Sequence, residues 1–299
     1  MRFLLAVVMT GLAMGMVSGS APRKLLVAHR GASAYAPEHT MAAYRLALDQ
    51  GADFVEQDLG VTRDGLLICL HDPTLERTTD VEQVFPDRFR LVQGARRWFA
   101  ADFTLDEIKR LDAGAWFGPN YAGQRVATLQ EAIDLVRGKA GLFPELKAPE
   151  VYREAGMDME PLVVAALRKN GLDRQGADPR TPIILQSFDQ TALQALARDL
   201  PTLDRTFLLE PRGAARWTSD AGLSEVATFA TGLGPAKALI ESDVTLVGRA
   251  HAAGLTVIPY TFRASSAGRF PSVRDEMAHF LSFVGVDGLF TDNPDLFPR

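Results

Sequence analysis

The chain of 299 residues can form one large domain or two small ones, and 47% hydrophobic with 23% charged residues is an ordinary globular composition. A formal net charge of −5, without a long Lys/Arg run, argues against a protein that binds nucleic acid. The single cysteine, Cys69, excludes an internal disulfide, and its place in an apolar strand is typical of a packed thiol.

The first residues have the pattern of a secretory signal peptide. Arg2 supplies a positive start, an apolar run spans 3–17, and the small residues of 18–21 offer a cleavage site. The run of 15 residues is short for a membrane span, which needs about 20. We therefore expect 1–21 to be removed and 22–299 to form the mature domain, with an uncleaved anchor as the alternative. Export without disulfides indicates a bacterial periplasmic or secreted protein that has no stable membrane insertion after cleavage.

Strands and helices alternate along most of the chain. Predicted strands end near residues 28, 58, 70, 146, 187, 209, 231, 260 and 290. Predicted helices span about 38–50, 128–137, 160–169, 190–198, 243–253 and 274–284. The strand ending near 70 follows its predecessor through an Asp64-Gly65 turn, so these two strands form an antiparallel hairpin. Eight strands remain, the number in a (β/α)8 TIM barrel.

One segment, about 75–120, interrupts this alternation. Proline and glycine punctuate it, and Thr104 and Glu107 are spaced as a capping box for a short helix. We interpret it as an insertion over one end of the barrel and as a candidate lid. Its aromatic residues fit a small core of their own as well as they fit substrate contacts.

The predicted hairpin carries the first candidate site. Glu56 and Asp58 leave the same face of one strand, and pairing across the turn brings His71 opposite 56–58. Two carboxylates on one face repel each other unless a cation or a proton separates them. A hard divalent ion such as Ca²⁺ or Mg²⁺ relieves that repulsion, and a neighbouring histidine suggests proton transfer. An ordinary surface hairpin is the alternative.

Further candidates follow the other strands, and in a barrel the carboxyl ends of all strands share one rim. That rim is predicted to carry His29, Arg30, Glu56, Asp58, His71, Glu145, Lys147, Gln186 and Ser187. Three carboxylates suit a hard divalent cation, and an arginine with a lysine suits a phosphate. With two histidines as acid and base, the set predicts metal-assisted phosphoryl chemistry.

Five motifs of the chain resemble those of the glycerophosphodiester phosphodiesterases. They are His29-Arg30-Gly31, Pro37-Glu38-His39-Thr40, Glu56-x-Asp58, His71-Asp72 and Glu145-x-Lys147. Segments 85–88, 102–105 and 259–263 are similar to the periplasmic branch of that family. The resemblance extends over nearly all of residues 25 to 294.

The resemblance implies a TIM barrel with a small insertion after the hairpin, and one divalent metal, Ca²⁺ first and Mg²⁺ second. It implies a phosphoric diester hydrolase that converts small glycerophosphodiesters, such as glycerophosphocholine and glycerophosphoethanolamine, to sn-glycerol 3-phosphate and an alcohol. It assigns the metal to Glu56, Asp58 and Glu145. General acid and base would be His29 and His71, and the phosphate contacts would be Arg30 and Lys147.

Other interpretations remain beside this one. A related barrel phospholipase that cleaves intact lipids would use similar residues, but it would need an exposed apolar or basic docking run that the sequence lacks. A non-catalytic periplasmic binding protein would not need two histidines beside a metal site. Many family members carry Asn at the position of His39, whose role the resemblance leaves open. Head-group preference, the order of acid and base, and the oligomeric state carry no sequence signal.

The leader gives the first testable prediction. Because the small residues of 18–21 follow the apolar run, protein isolated from its host should begin near Ser20 or Pro22 and lie outside the inner membrane. Amino-terminal sequencing of fractionated cells measures this directly. A chain that keeps Arg2 or Phe3 and stays in the membrane fraction would replace cleavage with anchoring.

Overall fold

The computed structural model describes residues 23–299, so the predicted signal peptide at 1–21 lies outside the described residues. The strands are β1 (Leu25–Ala28), β2 (Phe54–Val61), β3 (Leu67–Cys69), β4 (Arg90–Val92), β5 (Ala95–Arg97), β6 (Gly141–Leu146), β7 (Ile184–Ser187), β8 (Asp204–Leu209), β9 (Gly232–Pro235), β10 (Thr256–Val257) and β11 (Gly288–Thr291). The helices are α1 (Met41–Asp49), α2 (Val81–Val84), α3 (Leu105–Ile108), α4 (Leu129–Val136), α5 (Pro149–Glu154), α6 (Met159–Lys169), α7 (Gln190–Asp199), α8 (Ala214–Trp217), α9 (Asp220–Val226), α10 (Lys237–Ser242), α11 (Leu246–Ala252) and α12 (Val273–Ala278). Within this range no helix combines the length and the apolar character needed to cross a bilayer.

Eight parallel strands form a nearly closed barrel. Their order around it is β11-β1-β2-β6-β7-β8-β9-β10, with helices in the connections. Backbone hydrogen bonds join the two ends, from Phe262 N to Phe290 O at 2.9 Å and from Phe290 N to Pro259 O at 3.0 Å. The predicted (β/α)8 fold is confirmed.

The predicted hairpin is present as the antiparallel pair β2–β3. Leu59 lies opposite Cys69, and Leu70 N donates to Asp58 O at 2.8 Å, which continues the pairing one residue further. His71 therefore follows beside the stretch that carries the two acids. Cys69 is buried as predicted, and burial raises the pKa of its thiol to about 12.

The barrel has two apolar regions, one between its strands and the surrounding helices and one in its interior. On α4, Leu129, Ala132, Ile133 and Val136 are buried, the spacing of one helix face, and the predicted capping box at its start is present. A separate cluster consists only of residues from strands or strand ends: Val27, Phe54, Phe143, Ile258 and Phe290. These residues belong to or follow five neighbouring strands that run around more than half of the barrel, so this cluster fills its interior.

The insertion has a hydrophobic core of its own. Leu75, Trp98, Phe103 and Ile108 are fully buried there, together with Ile68 of β3. The Thr104–Glu107 capping box forms as predicted and begins α3. The small antiparallel pair β4–β5 was not predicted, and all of its residues are exposed. The aromatic residues Trp98 and Phe103 thus pack in a satellite core.

Some boundaries differ from the prediction. The strand expected at 227–231 lies further along the chain, as β9, Gly232–Pro235. Helix α9 extends to Val226, and Ala227 is its C-cap. The sequence of β9, Gly-Leu-Gly-Pro, carries little strand propensity, so only the parallel pairing with β8 and β10 makes it a strand. Helix α1 begins at Met41 because Thr40 caps it through Ala43 N. The helix expected at 274–284 is α12, followed by a π-helical segment, His279–Val284.

Gly141, the first residue of β6, packs against the ring of Phe54 in the barrel interior and therefore provides a stability prediction. A Cβ at this position would lie 2.3 Å from Phe54 Cε1 and 2.8 Å from Pro182 O. Since overpacking a core costs about 1–3 kcal/mol, Gly141→Ala should lower the free energy of unfolding by about that much in a denaturant titration.

Gly248 in α11 is the control. No atom lies within 4 Å of its would-be Cβ, so Gly248→Ala should leave stability unchanged or raise it by up to about 1 kcal/mol through helix propensity. Equal effects of the two substitutions would contradict the packing argument.

Candidate active site

One cavity of about 560 Å³ opens at the carboxyl-terminal ends of the barrel strands. All but one of the residues predicted from sequence at this rim line it: His29, Arg30, Glu56, Asp58, His71, Glu145, Lys147 and Gln186. The exception is Ser187, whose buried hydroxyl donates to Leu146 O. Phe188, Glu210, Tyr260 and Arg263 also line the cavity. None of the described lining residues comes from 75–120, so the lid interpretation of the insertion gains no support from the cavity.

The loop after β1 is held tightly against its neighbours. Gly31, at φ +84°, allows this approach, since a Cβ there would lie 2.7 Å from the carbonyl carbon of Ala43 in α1. Arg30 itself has a left-handed backbone, with φ +59°. That conformation turns its backbone N toward β2, where it donates to Glu56 Oε2 at 2.7 Å. The strained loop therefore fixes both the arginine and the first acid.

Three buried carboxylates form the acidic side of the cavity. Glu56 and Asp58 come from β2, and Glu145 is the partner of Asp58 in the parallel register with β6. Arg30 Nε lies 3.1 Å from Asp58 Oδ2. Lys147 Nζ lies 3.0 Å from Glu145 Oε1 and 3.9 Å from Asp58 Oδ1. Arg30 follows β1 and Lys147 follows β6, so the two cations approach Asp58 from the two strands that flank β2.

The charges of this cluster do not balance. Burial and the Asp58 charge raise the pKa of Glu145 to about 8 and that of Glu56 well above its ordinary value. Burial alone would also raise the pKa of Asp58, but Arg30, His39 and Lys147 hold it well below its usual range. Asp58 is thus ionised, whereas Glu56 and Glu145 have too little positive charge near them to favour their ionised forms.

The donor set fits a divalent cation. Ligand atoms of His39, Glu56 and Asp58 lie within 4.8 Å of one another, and Glu145 stands beside that group on the next strand. The buried Glu145 Oε1 lies 3.0 Å from the Lys147 ammonium, a charge that it shares with Asp58. Carboxylate oxygens with unmet charge are what a hard divalent ion binds.

His39, whose role the sequence left open, supports an acid of the cluster. Its Nε2 lies 2.9 Å from Asp58 Oδ2, and its Nδ1 lies 2.9 Å from the hydroxyl of Tyr44. Both ring nitrogens are therefore engaged, and His39 is not among the residues that line the cavity. Its contacts orient the Asp58 carboxylate.

Each cavity histidine is paired with a carboxylate through Nδ1. His29 Nδ1 lies 2.7 Å from Asp292 Oδ1, and His71 Nδ1 lies 2.6 Å from Asp72 Oδ1. A carboxylate at this distance accepts the Nδ1 proton, which leaves Nε2 as the ring nitrogen free to exchange a proton. Burial, with the neighbouring Arg30, lowers the pKa of His29 to about 4, so this ring is neutral at neutral pH.

Sequence reasoning gave no role to the two partners, Asp72 and Asp292. Asp292 immediately follows β11, so the strand-end rule that selected the other candidates could have found it. Arg263, which lies 2.8 Å from Asp292 Oδ2, belongs to the segment after β10 and could have been found in the same way. Asp72 had only its place beside His71 as a signal.

Comparisons with known proteins agree with this geometry. The model of the glycerophosphoryl diester phosphodiesterase family matches residues 29–296. The glycerophosphodiester phosphodiesterase of Bacillus subtilis (strain 168) is 38% identical over 289 residues, covering 94% of this chain and 87% of that protein.

Two solved structures are similar to the barrel. A phosphodiesterase of Oleispira antarctica, solved with its product sn-glycerol 3-phosphate, has a TM-score of 0.71 and 28% identity, covering 91% of this chain and 94% of that chain. A glycerophosphodiester phosphodiesterase of Agrobacterium tumefaciens has a TM-score of 0.66 and 28% identity, covering 92% of this chain and 99% of that chain.

The unbalanced acids generate a prediction about metal binding. Because a cation that binds only the folded state stabilises it, Ca²⁺ at about 100 times its Kd should add about 2.7 kcal/mol to the free energy of unfolding. A chelator should lower Tm in differential scanning calorimetry, and Ca²⁺ or Mg²⁺ should restore it. Unchanged Tm in both conditions, for protein shown metal-free by elemental analysis, would contradict the site.

Substitutions test which residues would hold such a metal. Glu56→Gln, Asp58→Asn and Glu145→Gln should each weaken Ca²⁺ binding in calorimetric titration, since each removes a carboxylate charge from the cluster. Glu210→Gln is the matched control, because Glu210 lines the same cavity outside the acid cluster. Equal losses for all four variants would point to general field effects in place of a defined site.

Proposed function

The chain belongs to the glycerophosphoryl diester phosphodiesterase family, and on that basis we propose that it hydrolyses glycerophosphodiesters with the aid of one divalent metal and two histidines. Glycerophosphocholine and glycerophosphoethanolamine are the proposed substrates. The products are sn-glycerol 3-phosphate and the free alcohol. Ca²⁺ is the first choice of metal and Mg²⁺ the second, since the acid cluster offers mainly oxygen donors.

One observation carries the proposal. Two carboxylate-paired histidines, an acid cluster with unmet charge, and an arginine and a lysine meet in a single cavity. A binding protein for a phosphodiester would need only the cations. Paired histidines on one cavity provide, in addition, the two proton transfers that hydrolysis of a diester requires.

The phosphate group is the part of the substrate that the cations recognise. Arg30, after β1, offers a planar guanidinium suited to two phosphate oxygens. Lys147, after β6 on the other side of β2, offers a point charge. Glu56, Asp58 and Glu145 would hold the metal, with His39 supporting Asp58. A bound divalent ion supplies positive charge that stabilises the phosphoryl oxygens in the transition state.

The histidines carry the protons. His29 is neutral, with Asp292 on Nδ1, so its Nε2 accepts a proton from the attacking hydroxyl. His71, with Asp72 on Nδ1, donates a proton from Nε2 to the leaving alcohol oxygen. If a glycerol hydroxyl attacks, the product is a cyclic glycerol phosphate, which water then opens with the roles reversed. If water attacks directly, one step releases both products.

The glycerol end would lie against the aromatic wall of the cavity. Phe188 and Tyr260 meet edge to face there, with ring centroids 5.9 Å apart, and Lys147 Nζ lies 5.2 Å from the centre of the Phe188 ring. We further propose that the enzyme works in the periplasm or outside the cell, a location that rests on the leader alone.

A release assay tests the function as a whole. Purified protein with glycerophosphocholine should liberate choline and sn-glycerol 3-phosphate, and a chelator should stop the release. A glycerophospholipid with intact acyl chains, presented as vesicles, should remain uncleaved. Cleavage of the lipid with no release from the soluble diester would favour a phospholipase, and release from neither would favour a binding protein.

The histidines are tested by substitution. Since a positioned acid or base contributes about 10²- to 10⁴-fold, His29→Ala and His71→Ala should each lower kcat on glycerophosphocholine by about that factor. KM should change less, because Arg30 and Lys147 still hold the phosphate. Ca²⁺ affinity, measured by calorimetric titration, should persist.

The leaving group then separates their roles. A nitrophenyl ester of glycerol phosphate needs no proton on its leaving oxygen, so His71→Ala should be much less harmful on it, whereas His29→Ala should harm both substrates alike. Exchanged behaviour would exchange the roles. His251, on outer helix α11 and bonded to Asp287, is the control: His251→Ala should leave kcat unchanged. Wild-type turnover by His71→Ala would remove the hairpin from the chemistry.

A further inference from the structure

A continuous row of alternating charges connects the acid cluster with the second histidine. In order, its members are Asp58, Arg30, Glu38, Arg77, Asp72 and His71. The first two and the last lie in the cavity wall, whereas Glu38, Arg77 and Asp72 are not among the described lining residues. The middle of the row therefore reaches the cavity only through its ends.

Arg77 is the centre of this row. Its Nη1 and Nη2 donate to Glu38 Oε2 at 3.0 Å and Oε1 at 2.7 Å, a two-bond clamp, and its Nε donates to Asp72 Oδ2. The other oxygen of Asp72 receives the Nδ1 proton of His71. One planar guanidinium thus sets the position of two carboxylates at once, which a lysine ammonium cannot reproduce.

The exposure of Arg77 indicates what this arrangement does. Its side chain is 40% exposed and that of Asp72 is 30% exposed, and ion pairs at such positions contribute little to folding stability. An exposed Asp72 without a partner would also be free to rotate between rotamers. The contact therefore matters for orientation far more than for the free energy of unfolding.

We infer that Arg77 is a positioning residue for His71. It holds Asp72 so that one carboxylate oxygen accepts the His71 Nδ1 proton and keeps the ring in one orientation, with Nε2 left for the leaving alcohol. The inference rests on the proposed function, in which His71 is the acid. It assigns to the insertion, where Arg77 lies, a part in the reaction that does not require closing over the cavity.

The same row offers a competing explanation. Through Glu38, whose Oε1 also accepts from Arg30 Nη1 at 3.0 Å, Arg77 could act on phosphate binding instead. The two effects differ in kinetics. Loss of Arg30 support raises KM for every diester, whereas loss of His71 orientation lowers kcat only where the leaving oxygen needs a proton.

The test is a comparison of Arg77→Met, Arg77→Lys and a matched control on two substrates. Since a misplacement of about 1 Å can cost about 10²-fold, Arg77→Met should lower kcat on glycerophosphocholine by about 10- to 100-fold. KM, Ca²⁺ affinity, and kcat on the nitrophenyl ester should not change. Arg77→Lys, which keeps the charge but loses the clamp, should show the same pattern with a smaller loss. The control is Arg97→Met, an exposed arginine of the same insertion paired with Glu76, which should match the wild type.

Equal losses on both substrates, a rise in KM alone, or wild-type kcat on glycerophosphocholine would each overturn the inference. If Arg77→Met does not fold, the same comparison on Arg77→Lys decides.

A spectroscopic measurement separates this inference from the proposed function. In ¹⁵N-histidine-labelled protein, the Nδ1 proton of His71, assigned with His71→Asn, should give a resonance that Arg77→Met loses or shifts and Arg97→Met keeps. If the wild type hydrolyses no diester yet this resonance responds, the proposed function fails and the positioning role stands. A resonance that Arg77→Met leaves unchanged overturns the positioning role whatever the activity.

Discussion

The site depends on keeping one carboxylate, that of Asp58, ionised inside the barrel. A buried charge is tolerated only with partners close by, and Asp58 has three, Arg30, His39 and Lys147. They come from the loop after β1, the turn before α1 and the end of β6. Three separate parts of the chain must therefore dock on β2 in fixed positions, and the left-handed backbone of Arg30 and His39 is part of that docking.

The nearby cations do not neutralise all three carboxylates of the cluster. Glu56 and Glu145 share the cations that Asp58 already uses, and burial disfavours their ionised forms. Filling the site with more lysine or arginine would satisfy the acids permanently and leave nothing for a ligand. A cluster short of positive charge could instead accept a cation from solution, and strain of this kind is typical of functional sites.

Much of the fold and the site followed from local signals. The hairpin came from its Asp64-Gly65 turn and placed His71 beside the acids, and the strand-end rule found the other predicted residues that line the cavity. The failures were of two kinds. Strand β9 has a sequence that only tertiary pairing makes extended, so no periodicity marked it. Arg77 lies in the insertion and acts on His71 only through Asp72. Spacing along the chain does not reveal such an indirect contact.

The first strand of the barrel, β1, pairs with the last strand along the chain, β11, and these strands also bring His29 and Asp292 together across 263 positions of sequence. During synthesis, the carboxylate that sets this histidine's tautomer leaves the ribosome long after the histidine itself. Shorter nascent chains hold the acids, the arginine and the other histidine, yet they cannot assemble the pair. Any activity that requires the pair is consequently available only once synthesis has passed Asp292, and a truncation before that residue would remove it.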